Sequence, residues 1–170
     1  MNWDKYYLSI CEAVALNSKC LSRKIGAIIV LDKSIVSTGY NGPPRGVPDC
    51  SKRYFLDRNL RDKGLNTINF ETTCPRQAMG FKSGEGLEYC IAGHAERNAL
   101  INAARHGIAV KDATMYMTCP IPCKDCLVEI INAGISEVVV TKLSLYDISS
   151  QYLCEYGNIK IREYDLGESK

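Results

Sequence analysis

The spacing of apolar and polar positions changes several times along the chain, and each change marks an element. In WDKYYLSICEAVAL (3–16), Trp3, Tyr7, Ile10, Cys11 and Val14 recur at intervals of three and four, which predicts a helix with one apolar stripe. IGAIIVL (25–31) is almost wholly apolar, as in a central strand covered on both faces, and SIVSTGY (34–40) follows it as a second strand. Asp32-Lys33 joins the two as a tight hairpin turn. AERNALINAARH (95–106) reads as a helix stopped by Gly107, and CKDCLVEIINA (123–133) as a helix ended by Gly134. ATMYMT (113–118), SEVVVTK (136–142) and IKIREY (159–164) read as strands, with a helix near 146–156 closed by Gly157.

This order predicts an α/β fold: a five-stranded mixed sheet, largely parallel, with an antiparallel edge hairpin and helices on both faces. Residues 41–93 do not fit the alternation. Gly, Pro and charges are scattered there without period, so the segment reads as an insertion with one short helix at 51–63. The 170 residues otherwise suit a single domain, 1–170.

Composition narrows the chemistry. Apolar residues make up 46% and charged residues 24%, the balance of a globular chain. A net charge of +2, from 21 basic and 19 acidic residues, argues against a nucleic-acid partner, which needs a basic stripe. No apolar run approaches the roughly 20 residues of a membrane span. The N-terminal MNWDKYYLSI lacks the basic and apolar regions of a secretory signal. A cytoplasmic location is therefore expected. In such a reducing compartment, nine cysteines point to metal or catalysis rather than disulfides.

Two motifs supply that metal chemistry. His94 and Glu96, in GHAER, are two residues apart, the wrong spacing to share a helix face but workable at a helix start. In PIPCKDC (120–126), Cys123 and Cys126 project from the first turn of a helix, where the positive dipole end favours thiolates. Pro120 keeps the approach extended and Pro122 suits the helix entry. One His and two Cys make three ligands and leave zinc's fourth position open, the catalytic rather than the structural arrangement. Glu96 is then the acid/base group that moves protons between water and a leaving group.

H-A-E followed by P-C-x-x-C resembles the signature of the zinc-dependent cytidine/deoxycytidylate deaminase superfamily. Within it the chain looks like the deoxycytidylate (dCMP) deaminases, over roughly residues 3–165. KIGAIIV, GYNGPPRG (39–46), GHAERNALINAARHG (93–107), TCPIPCKDC (118–126) and INAGISEVVV (131–140) carry the likeness. It implies a three-layer α-β-α, cytidine-deaminase-like fold. The implied reaction is hydrolytic loss of ammonia from C4 of dCMP, giving dUMP for thymidylate synthesis.

The resemblance also carries residue roles. Asn41 matches a sugar-binding Asn, although Asn-Gly-Pro-Pro alone is only a turn signal. Ala95 joins it as a substrate contact. Arg105 and Arg23, with Lys24 beside it, are candidates for the 5′-phosphate anchor, or else solvated surface charges. Tyr146 is either a stacking cover for the base or a core aromatic. The family often carries a second, structural zinc, and Cys20, Cys50, Cys74 and Cys90 match its ligand positions; the alternative is four unconnected thiols. Such enzymes are typically homohexamers, activated by dCTP with Mg2+ and inhibited by dTTP, and Gly42, Arg45 and Gly46 match the effector loop. Two rival readings stay open: another zinc nucleobase deaminase, acting on free cytidine or tRNA adenosine, and a non-catalytic zinc-binding assembly module.

Overall fold

The computed structural model describes residues 2–63, 65 and 71–165. Its strands are β1 (Gly26–Leu31), β2 (Ser34–Tyr40), β3 (Thr114–Met117), β4 (Glu137–Val140) and β5 (Lys160–Glu163), ordered β2-β1-β3-β4-β5 in one sheet. The apolar β1 lies inside and β2 forms the edge, joined by Asp32 and Lys33 with φ of 49° and 61°. Two positive φ values in a two-residue turn match the twist of a hairpin. The sheet is less parallel than its sequence order suggests. β1 runs antiparallel to both β2 and β3, whereas β3, β4 and β5 are mutually parallel.

Alternation along the central strands divides the core in two. Ile29, Met115, Met117, Val138 and Val140 face one side, with Ala95 and Ala99 of α5 (Ala95–Arg105) and Leu127 and Ile130 of α6 (Lys124–Asn132). Ile28, Val30, Tyr116 and Val139 face the other, against Tyr7, Leu8 and Cys11 of α1 (Trp3–Ala15). Successive strand residues point to opposite faces, so these side chains sort into three layers, α-β-α. The helix α7 (Ile148–Tyr156) packs Leu153 and Cys154 onto the α5–α6 side.

Backbone contact fixes the helices on the sheet. A Cβ on Gly39 would lie 2.3 Å from the Ala95 carbonyl oxygen and the Ala99 nitrogen, and one on Gly26 would lie 2.0 Å from the Cys11 carbonyl oxygen. Only glycine permits such approaches. Gly39 thereby seats the N-terminal turn of α5, with His94 and Glu96, against β2.

Two expectations need correction. Trp3 is 43% exposed rather than part of the buried stripe; it stacks on Tyr7 with centroids 5.6 Å apart, while Leu8 and Ala15 complete the buried face. The helix expected at 51–63 is two helices, α2 (Cys50–Leu56) and α3 (Arg58–Arg61), split where Asp57 leaves helical geometry and caps α3 through Asn59 N–H at 3.0 Å. The 41–93 segment adds α4 (Pro75–Ala78) and a 3-10 turn (Leu87–Tyr89), and lies beside the β2–α5 end of the sheet through a Gly42–Gly93 bridge. Among the described residues, no helix is long and apolar enough to cross a membrane.

Candidate active site

His94 is the N-cap of α5 and Cys123 the N-cap of α6. Neither side chain caps its own helix, so both remain free to ligate. Cys126 sits one turn into α6, fully buried. His94 Nδ1 lies 3.6 Å from Cys123 Sγ and 3.3 Å from Cys126 Sγ. A tetrahedral zinc centre separates its nitrogen and sulfur ligands by about 3.6 Å, so the three atoms already stand at ligand spacing. Among the described residues, they are the only group of three or more His, Cys, Asp or Glu ligand atoms within 4.8 Å of one another.

The electrostatics suit a cation. Cys126 donates to Cys123 and, with His94, draws the Cys123 thiol down to about 4. Cys126 is pushed the other way, first by that shared proton and then by burial. Cys123 is thus a ready thiolate, and a divalent cation held here would displace the proton on Cys126. His94 is raised, chiefly by its contact with Cys123.

Asp147, the N-cap of α7, supplies the cap that Cys123 withholds. Its Oδ1 accepts from Ser150 N–H in its own helix at 2.8 Å, and its Oδ2 accepts from Lys124 N–H of α6 at 2.9 Å. One carboxylate therefore satisfies orphan donors of two helices and holds the α6 entry.

Glu96, in the first turn of α5, is 4% exposed, and burial raises its carboxyl above the ordinary range. It lines a cavity of about 110 Å³ together with His94, Cys123, Asn41, Ala95 and Tyr146. Asn41 is 7% exposed. Its Oδ1 accepts from Ile25 N–H and Ser18 Oγ–H, each at 2.8 Å, and its Nδ2 donates to the Arg23 carbonyl at 2.8 Å. One amide N–H is left for a ligand. Tyr146 is 40% exposed on the cavity wall, which excludes the core alternative. Arg23 also lines this cavity, and Arg105 does not. Arg105 ends α5, nine residues beyond Glu96 and so about 13 Å along the helix. It joins Gly42, Arg45 and Arg97 in a separate groove, where Arg45 Nη2 donates to Asn102 Oδ1 at 2.9 Å. Gly46 stands on the same loop with φ of 79°.

The chain belongs to the cytidine and deoxycytidylate deaminase family. The sequence profile of the cytidine and deoxycytidylate deaminase zinc-binding region matches residues 1–142. The deoxycytidylate deaminase of Mycobacterium phage D29 is 36% identical over 148 residues, covering 84% of this chain and 97% of that protein. The deoxycytidylate deaminase of Saccharomyces cerevisiae is 32% identical over 168 residues, covering 98% of this chain and 46% of that protein. The chain thus spans a little under half the length of its yeast relative. The crystal structure of dCMP deaminase from the cyanophage S-TIM5, in complex with dCMP and dUMP, superposes with a TM-score of 0.65 at 23% identity, covering 94% of this chain and 95% of that chain. That likeness establishes the fold, the cytidine-deaminase-like arrangement expected from the motifs.

Cys20, Cys74 and Cys90 surround Cys50, whose thiol burial first, and then these neighbours, push to about 11. The four do not reach the mutual spacing of the His94 group. Sequence reasoning missed Asp147 and also Arg76, which stands two residues after Cys74 and lines the main cavity. Neither lies in a motif: Asp147 reads as an ordinary N-cap, and Arg76 sits in the aperiodic insertion.

Proposed function

We propose that this chain, as one deaminase domain with an insertion at 41–93, hydrolyses dCMP to dUMP and ammonia. The observation that carries this reading is the convergence of His94, Cys123 and Cys126 at zinc-ligand spacing beside the buried Glu96. The family supports it, since its matching region is a zinc-binding one and relatives of similar length are deoxycytidylate deaminases. A zinc ion held by these three residues would keep one position for water and lower that water's pKa to about 7.

Glu96 does the proton work. Its buried carboxyl takes a proton from the attacking water as the C4–O bond forms and delivers it to the departing amino group as the C4–N bond breaks. Water adds one oxygen, ammonia leaves, and the carboxylate ends as it began. Asn41 orients the sugar with its remaining amide N–H, Ala95 offers its backbone N–H at the helix start, and Tyr146 covers the base. Replacing Glu96 with Ala is expected to keep zinc and fold and to lower turnover at least 10²-fold. Turnover within tenfold of wild type defeats the acid/base role, whereas absence of turnover in zinc-loaded wild type favours the non-catalytic module.

Further parts of the reading rest on the family. The groove of Arg45, Arg97 and Arg105, with Gly42 at its edge and Gly46 on its loop, suits a nucleoside triphosphate, dCTP with Mg2+ as activator and dTTP as inhibitor. Arg105 thereby moves from substrate anchor to effector contact. A cytoplasmic homohexamer is the expected form, and nine free thiols fit a reducing compartment. A second zinc on Cys20, Cys50, Cys74 and Cys90 would brace the insertion once their sulfurs close on it.

A further inference from the structure

Asn41 keeps one amide N–H for the cavity, and residues 18–25, between α1 and β1, hold every other polar group it has. Its main-chain N–H donates to Ile25 O at 3.1 Å. Its Oδ1 accepts from Ile25 N–H and its Nδ2 donates to Arg23 O, each at 2.8 Å. Ser18 supplies the rest. Its Oγ–H is shared between Asn41 O at 2.7 Å and Asn41 Oδ1 at 2.8 Å.

These partners do different things. Ile25 N–H and Arg23 O read the two ends of the amide, so they set which end faces the cavity. A hydroxyl donates or accepts and cannot make that distinction. Ser18 instead ties the side-chain oxygen of Asn41 to its own main-chain carbonyl, which resists rotation about the Cα–Cβ bond. Ser18 Oγ accepts from Cys20 N–H at 3.2 Å, which leaves its proton directed at Asn41. Ser18 is 4% exposed and Asn41 7%, so water does not compete for these bonds and they gain strength. Asn41, Cys20, Arg23 and Ile25 line the cavity, and Ser18 does not. Whatever Ser18 does for a ligand passes through Asn41.

We propose that Ser18 is a positioning residue for the substrate's sugar: it locks Asn41 so that the free N–H stays aimed at a sugar oxygen. This rests on the dCMP reading above, in which Asn41 orients the sugar. The deoxyribose of dCMP carries one free hydroxyl, at C3′, and its oxygen is the acceptor that such a fixed donor suits. Without the Ser18 hydroxyl, the Asn41 amide turns more freely and meets that oxygen for only part of the time.

Binding separates this role from the deaminase reading. Titration calorimetry on the zinc-loaded protein compares dUMP with 2′,3′-dideoxyuridine monophosphate, which lacks the 3′-hydroxyl, in wild type, S18A, N41A and the double variant. One neutral hydrogen bond is worth up to about tenfold, so wild type should prefer dUMP by about that factor. S18A should narrow the preference to about twofold by weakening dUMP alone. N41A should abolish it, and adding S18A to N41A should change it no further. Ser18 also closes α1 through its main-chain N–H, which donates to Ala15 O at 3.0 Å, and S18A keeps that bond. Equal weakening of both ligands by S18A would show that Ser18 only shapes the loop, and an unchanged preference would also overturn the proposal. Should S18A not fold, Ser18→Cys decides, since it keeps the size with only a weak S–H donor: an undiminished preference for dUMP overturns the proposal. Wild type with no preference overturns it as well. A preference that depends on Ser18 in a protein that never converts dCMP would retain the positioning role and overturn the deaminase reading.

Discussion

Asp147 tests how the site is built, because it has two tasks that a single substitution separates. Its carboxylate caps α7 through Ser150 N–H at 2.8 Å and α6 through Lys124 N–H at 2.9 Å. Each such cap is worth about 1 kcal/mol, so Asp147→Ala should cost about 2 kcal/mol and lower Tm by about 4–8 °C for a chain of this size. Asp147→Asn keeps one acceptor oxygen and replaces the other with a donor. It can satisfy one helix only, and should cost about half as much. The functional consequence concerns Cys123, the residue before Lys124. With the α6 entry loosened, the thiolate is less well held and zinc affinity should drop about tenfold, as for other supports of metal ligands. Scanning calorimetry gives the stability, and competition with a chromophoric chelator gives the zinc Kd. If Asp147→Asn matches wild type in both Tm and zinc Kd, α6 does not depend on a borrowed cap and the reasoning fails.

Three more outcomes are expected. Gly39→Ala would push a methyl into the α5 backbone at Ala95 and Ala99, so it should destabilise by about 3 kcal/mol in urea unfolding; a cost under about 1 kcal/mol would mean that α5 shifts freely on β2. Arg162 grips Asp4 with two bonds of 2.7 and 2.8 Å and holds its carboxyl below the ordinary range. That stability is present above the unfolded pKa of about 3.9 and is lost as pH falls through the folded value, so wild type should exceed Asp4→Asn by about 1 kcal/mol at pH 7 and by nothing near pH 2. Metal analysis should give two zinc ions per chain, falling to one in Cys50→Ser; one ion in wild type rejects the second site.

Much of this was legible in the sequence, for identifiable reasons. Ile28 and Ile29, or Tyr116 between Met115 and Met117, are apolar on both faces, so their strands show as unbroken runs. Asp32-Lys33, Gly107 and Gly134 all carry the positive φ that turns and helix stops demand. His94, Glu96, Cys123 and Cys126 lie within two short motifs because helix starts focus neighbouring residues onto one point. What stayed hidden depends on contacts between distant segments. Spacing cannot show that Asp147 reaches across to α6, nor that Arg76, in a segment without period, is held over the cavity by Lys82 and Glu85. Arg105 lies outside the Glu96 cavity for the complementary reason: it is close to Glu96 in sequence but two and a half turns away along α5.

The most direct test is ammonia release from dCMP, deoxycytidine and CMP by the zinc-loaded protein, each alone, with dCTP plus Mg2+, and with dTTP. Turnover of dCMP well above the other two, raised by dCTP and lowered by dTTP, is the predicted result. No turnover of dCMP, or turnover of deoxycytidine at an equal rate, would contradict the assignment of this chain as a deaminase of the nucleotide.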